Sequence, residues 1–208
     1  FADQVISKCL GLRHLVVGED FCFGKGRSGT VKDLISLGSS MGFEVTIADL
    51  MEIETGQVSS TSIRKALAEG RPKDAAKQLG HWHRIEGVVI GGEQRGRELG
   101  YPTANMSLDG LHLPNLGVYA VLVDVLNGEH VGCYNGVASL GVRPMFGENT
   151  PNLETFIFDF SGDLYGATLS VALVDFIRPE INFDSLEKLI IQMDQDSLKA
   201  KELLKSFK

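Results

Sequence analysis

At Trp82 the hydrophobic pattern of this chain changes period, and no other feature of the sequence limits its fold as strongly. Before that point helix-like stretches alternate with short apolar runs. Leu15-Val16-Val17 reads as a strand, Thr30 can cap a helix carrying Val31, Leu34, Ile35 and Leu37, and Glu44 to Ala48 returns as a strand. Ser59-Ser60-Thr61 opens a second helix with Ile63, Ala66 and Leu67 on its inner face and Gly70 at its end. Pro72 starts a third, which closes near Gly80. Such alternation predicts an α/β layer with parallel strands over residues 1–80. Beyond Trp82 the period is two. Tyr119 to Leu126 alternates, Asn127-Gly128 signals a type I′ hairpin, and strand character resumes through Val131 and Tyr134. Phe156 to Phe160 and Thr168 to Phe176 flank Ser161-Gly162-Asp163 as a second hairpin. Short strands joined by tight turns predict a small antiparallel β-barrel, whose closure removes exposed edges, over residues 81–208. A long helix ends the chain, with Asp184 and Glu187 as its capping box. Leu186, Leu189, Ile190, Met193, Ala200, Leu203 and Leu204 form the stripe it can lay on the barrel.

The chemistry-bearing stretch lies just after the change of period, from Gly87 to Asn105. Gly91, Gly92, Gly96 and Gly100 let the backbone take positive φ and approach a ligand, while Arg95 and Arg97 supply cations. Pro102 biases Tyr101 toward extended geometry, which leaves Thr103 and Asn105 on one side of the chain. A hydroxyl and an amide oxygen placed together suit a hard cation completed by phosphate oxygens, as in magnesium on a nucleotide. The same spacing also describes a polar turn between two strands. Glu154 is the candidate general base, since it follows the turn-rich Gly147, Asn149 and Pro151 at the start of an apolar strand, where a carboxylate can face a pocket. An edge-strand surface charge is the alternative.

Other motifs carry less. Gly24-x-Gly26-x-x-Gly29 matches a dinucleotide fingerprint in outline, with Asp49 at the acidic position, but Gly18 to Phe23 intervenes between the strand and the first glycine. A nicotinamide oxidoreductase therefore ranks last among the readings. His81 and His83 share a strand face without a third metal ligand beside them in the sequence. Cys9, Cys22 and Cys133 are few and widely spaced, which argues against a disulfide framework and points to a reducing, cytoplasmic setting. A net charge of −7 disfavours a nucleic-acid partner, and no apolar run approaches the roughly 18 residues that span a bilayer. The oligomeric state leaves no readable signal.

Gly96-Arg97-x-Leu99-Gly100-Tyr101-Pro102-Thr103-Ala104-Asn105, Pro151-x-Leu153-Glu154-x-Phe156-x-Phe158-Asp159-Phe160, Leu164-Tyr165-Gly166 and Phe176-Ile177-Arg178-Pro179-Glu180 together resemble a riboflavin kinase. Upstream, Val17-Gly18-Glu19-Asp20-Phe21-x-Phe23-Gly24 and Ser59-Ser60-Thr61-x-Ile63-Arg64 resemble the later part of the FMN adenylyltransferase fused to that kinase in bacterial bifunctional FAD synthetases. The resemblance implies a partial Rossmann-like nucleotidyltransferase module over 1–80 and a riboflavin kinase module over 81–208. It implies ATP and Mg2+ as phosphoryl donor and metal, riboflavin as acceptor, and FMN and ADP as products. Thr103 and Asn105 fall on its metal and phosphate positions, Glu154 on its catalytic glutamate, and Ser60, Thr61 and Arg64 on nucleotide-binding positions of the adenylyltransferase. Arg143 and Arg178 are read as flavin-site or packing residues, Arg178 pairing with Glu180 or a helix carboxylate. The adenylyltransferase's His-x-Gly-His spacing occurs nowhere in this sequence, and the chain opens at Phe1-Ala2-Asp3 without methionine, so a shortened first module that does not itself make FAD is expected.

Overall fold

The computed structural model describes residues 1–207 apart from 50, 54–55, 93–95, 97–98 and 146–147, and only the backbone of 143–145 and 148–150. Contacts divide the chain into two units, Phe1–Val58 and Ser59–Lys208. In the first, β1 (His14–Gly18), helix α1 (Val31–Met41) and β2 (Glu44–Ala48) form a parallel crossover with His14 opposite Glu44. The helix begins where a cap is available. Thr30 accepts the Asp33 N–H, the Asp33 carboxylate accepts the Thr30 N–H at 2.8 Å, and Gly42 ends the helix at φ 80°. Ile6, Val17, Val31, Leu34 and Phe43 close a core beneath it, whereas Ile35, expected on the same stripe, is 41% exposed. The Gly24 to Gly29 stretch is an irregular turn in which Phe23 and Gly29 bridge each other, not the phosphate turn of a dinucleotide fingerprint. A short hairpin, β3 (Glu52–Ile53) and β4 (Gly56–Gln57), completes this unit.

The second unit opens with α2 (Ser60–Ala68), capped by Ser59 through the Ser62 N–H at 3.1 Å, and α3 (Pro72–Leu79), which starts on its proline and stops at Gly80. Both pack on the barrel unit: Asn115 N–H donates to Leu67 O, and Lys73 pairs with Asp175. Six antiparallel strands follow: β5 (Arg84–Val88), β6 (Thr103–Ser107), β7 (Gly117–Val125), β8 (Gly132–Met145), β9 (Glu148–Ile157) and β10 (Thr168–Arg178). Their order is β5-β10-β7-β8-β9-β6, and a bridge between Ile90 and Asn105 draws the two ends together into a nearly closed barrel. Met106, Val121, Val123, Leu140, Leu153, Leu169 and Val171 fill its interior. Helix α4 (Leu186–Leu203) lies outside, where Ala200 and Leu204 meet Val118, Ala120, Val137, Phe158 and Val174.

Four local expectations are corrected. Asn127-Gly128 does not make a two-residue type I′ turn: β7 and β8 are joined across 126–131, and Asn127 instead exchanges hydrogen bonds with Thr168 of β10 at 2.8 and 3.0 Å. Ser161-Gly162-Asp163 is not a hairpin either. β9 and β10 are not neighbours, and 158–167 crosses the barrel between them, turned by Asp159 at φ 54°. The cap of α4 is Ser185, which accepts the Lys188 N–H, while Asp184 pairs with the Lys188 ammonium. Its stripe is buried only at the C-terminal end. Asp196, Ser197, Ala200 and Leu204 are covered, and Leu186 is 52% exposed.

Candidate functional site

Strand register assembles the site. β9 lies between β8 and β6, so Glu154 is neither on an edge nor at a strand start. It stands in the body of β9, because β8 and β9 run on as a long antiparallel pair from Gly136 opposite Ile157 to Met145 opposite Glu148. Leu153 and Ile157 point into the barrel core, which sends Asn152, Glu154 and Phe156 to the outer face. Glu154 faces Asn105 across to β6 and Ser139 across to β8, while Thr103 faces Phe156. Directly opposed side chains of this kind stand about 5 Å apart at Cβ, so the carboxylate and the carboxamide are immediate neighbours. The Asn152 amide donates to Glu154 Oε1 at 3.2 Å and orients it. The Asn105 amide nitrogen donates to Thr103 O at 3.3 Å, leaving Oδ1 as the acceptor end.

The glycine-rich segment is built around the same residues. A Cβ on Gly92 would stand 2.7 Å from the Asn105 amide nitrogen, so any other residue here would have to displace the Asn105 side chain. A Cβ on Gly96 would collide with Tyr101 O, and the turn closes through Tyr101 N–H to Gly96 O at 2.7 Å, with Gly100 at φ 82°. Gly91 is exposed with open space around its Cα, so nothing steric demands glycine there. Arg95 and Arg97 lie outside the described residues, as do the side chains of Arg143 and Asn149.

A pocket of about 310 Å³ opens beside this segment. Gly92, Gly96, Thr103 and Asn105 line it together with Val89, Ile157, Phe160, Asp163, Leu164 and Tyr165, and Glu154 is not among its lining residues. A lining that mixes polar, glycine-rich backbone with aromatic and aliphatic surface suits a ligand that carries both polar and flat apolar groups. That glycines and the Pro102-Thr103-Ala104-Asn105 run come together here was legible in the sequence. Phe160 and Tyr165 entered the sequence reading only within motifs that resemble the kinase, without a site role, and it is the crossing segment 158–167 that brings them to the pocket lined by Thr103. Thr155 was also missed. It lines the pocket between Ala104 and Ala138, with its hydroxyl buried and unpartnered.

Ser60, Thr61 and Arg64 stand apart from this cluster. They occupy the first turns of α2, where Arg64 donates to Ser60 Oγ at 3.3 Å, and none lines the pocket. Arg178 does pair with a helix carboxylate. Its guanidinium forks onto buried Asp196 of α4 at 3.0, 3.0 and 2.7 Å, and Gln192 adds a bond at 2.9 Å. The adjoining Glu180 carboxylate lies over Gly141. Burial, with His112 and His81 nearby, lowers the pKa of His83, yet no group of three metal-ligating side chains occurs among the described residues.

Among known proteins, a family model described as riboflavin kinase matches residues 79–204, and one described as FAD synthetase matches residues 1–62. A bifunctional riboflavin kinase/FMN adenylyltransferase of Pseudomonas fluorescens is 40% identical over 98% of this chain and 64% of its own length. That of Listeria monocytogenes is 38% identical over 90% and 59%. The chain thus spans about three fifths of the length of these relatives. The crystal structure of a macrolide-efflux protein from Streptococcus pneumoniae superposes with a TM-score of 0.76 at 36% identity, over 94% of this chain and 62% of that one.

Proposed function

The chain belongs to the riboflavin kinase family, and from that premise we propose that it transfers the γ-phosphoryl group of ATP to the 5′-hydroxyl of riboflavin, releasing FMN and ADP. The observation that carries this reading is the cross-strand pairing of Glu154 with Asn105, which itself lines a pocket of glycine, hydroxyl, aromatic and aliphatic groups. The nucleotide is assigned to that pocket, with its phosphates along Gly92, Gly96 and Thr103 and its base toward Phe160 and Tyr165. Gly91, Arg95, Arg97 and Gly100 belong to the same phosphate-covering loop. The donor set fits a hard divalent cation: Thr103 and Asn105 offer neutral oxygens that would hold Mg2+, which would supply neutralisation of phosphate charge. Glu154 accepts the proton of the ribityl hydroxyl as its oxygen bonds to the γ-phosphorus and the bond to the β-phosphate oxygen breaks. Positioning supplies the remainder, because phosphoryl transfer asks little covalent chemistry of the protein.

We assign the kinase to residues 81–208 and a nucleotidyltransferase-like part, with Ser60, Thr61 and Arg64 at its phosphate end, to residues 1–80. The cytoplasm is the proposed setting, and neither nucleic acid nor membrane is a proposed partner. Among the described residues no helix is long and apolar enough to cross a membrane, and the macrolide efflux for which the Streptococcus protein is named gains no support from the site chemistry here. Incubation with riboflavin, ATP and Mg2+, followed by chromatography of flavins and nucleotides, tests the reading. Equimolar FMN and ADP are expected. Riboflavin binding without ATP consumption would instead mark a non-catalytic flavin-binding barrel.

A further inference from the structure

We propose that Tyr101 is a positioning residue for the phosphate-donor side of this site, acting through Asp194 of α4; the inference rests on the kinase reading above. Tyr101 lies between Gly96 and Pro102-Thr103, all of which line the pocket. Its own N–H closes a turn on Gly96 O at 2.7 Å, so whatever fixes Tyr101 fixes the rim on either side of it. The side-chain contacts of Tyr101 with Phe156 and with Asp194 and Ser197 of α4 do so. The ring packs on Phe156, 4.8 Å between centroids, and Phe156 stands opposite Thr103 and two residues from Glu154. The hydroxyl donates to the Asp194 carboxylate, a bond that leaves the barrel altogether and reaches the helix.

That helix is a firm anchor near this point. Asp196, two residues on, is buried and holds the Arg178 fork from the end of β10. The chain of contacts therefore runs from β10 through Arg178, Asp196 and Asp194 to Tyr101 and into the loop. Burial, together with Asp194, raises the phenol's pKa, so the hydroxyl stays a donor across the working range of pH. Phenylalanine would satisfy the ring contact with Phe156 equally well. Only the tie to the helix requires tyrosine.

The experiment uses the 208-residue chain and the variants Tyr101→Phe, Asp194→Ala, Asp194→Asn and the Tyr101→Phe/Asp194→Ala pair. Affinity for Mg-ADP is read by calorimetry, alongside KM for ATP, KM for riboflavin, kcat and the thermal midpoint. Loss of one hydrogen bond to a charged acceptor should weaken Mg-ADP and raise the ATP KM by about three- to tenfold, with riboflavin KM and the midpoint close to wild type. The double variant should be no worse than either single one, because both remove the same contact, and Asp194→Asn should recover most of the affinity through its amide oxygen. Wild-type nucleotide affinity in Tyr101→Phe, additive losses in the double variant, or a parallel fall in riboflavin affinity and midpoint would each overturn the proposal. A wild-type chain that binds no Mg-ADP overturns the kinase reading itself, and this inference with it.

Discussion

At the scale of single residues, the proposal concentrates on Glu154. Its carboxylate is oriented by Asn152 and sits beside Asn105, so replacing it with glutamine preserves shape and the cross-strand neighbour while removing the proton acceptor. Glu154→Gln is expected to bind riboflavin and ATP normally and to lose turnover by about 10² to 10⁴, the usual weight of a general base. Single-turnover FMN formation measures this, and a rate near wild type would assign the carboxylate a merely structural place. A second residue sets a pH dependence of stability. His83 is partly buried with His112 and His81 nearby, and desolvation first, then these neighbours, hold its folded pKa below the unfolded value of about 6.5. The unfolded chain therefore takes up the proton first as pH falls. This contribution to stability is complete above about pH 6.5 and is lost as pH drops from there toward the folded pKa. His83→Gln should flatten the thermal midpoint between about pH 5 and 7, and identical slopes in the two proteins would contradict the burial argument.

Among the elements, β6 carries the tightest connection between sequence pattern and site. Proline at 102 followed by extended geometry is what puts Thr103 and Asn105 on the same face, and the strand forms as the sequence requires, with Ala104 and Met106 turned inward to the core. Thr103→Val and Asn105→Ala remove oxygens without removing buried apolar volume, so the fold should persist while the Mg2+ and ATP concentrations needed for half-maximal rate rise. A magnesium titration of activity decides the matter, since unchanged metal dependence would leave the two residues as turn formers. Local chemistry of this kind was readable: the Thr30 and Ser59 caps, Pro72 and Gly80 all occupy the places the sequence implies. What was not readable depends on partners distant in the chain. The six-residue connection after β7 follows from Asn127 bonding Thr168, forty-one residues away, and no local turn preference carries that information. The N-terminal half of the α4 stripe was likewise legible as apolar but not as half-exposed, because that depends on where the barrel surface stops.

For the whole molecule, the question is which chemistry the two parts of the chain divide between them. The kinase reading needs only the barrel, its glycine-rich segment and Glu154, all within Ser59–Lys208. Making FAD from FMN needs something else. The FMN phosphate attacks the α-phosphate of ATP, and the charge that develops on bridging and non-bridging oxygens must be met by donors already in place. The residues assigned to that role are few and partly committed elsewhere. Ser59 already caps α2 through the Ser62 N–H, Arg64 donates to Ser60, and Thr61 adds one hydroxyl. His14, His81, His83, His112 and His130 supply no His-x-Gly-His pair. One arginine and a helix N-terminus attract a phosphate, but they leave the leaving pyrophosphate without the two imidazoles that the resemblance associates with it. This 208-residue chain is therefore expected to accumulate FMN and stop. Given FMN, ATP and Mg2+ in place of riboflavin, it should release no pyrophosphate above background. FAD appearing by chromatography, from a sample whose intact mass shows only this chain, would mean that residues 1–80 carry adenylyl transfer through side chains other than those assigned here.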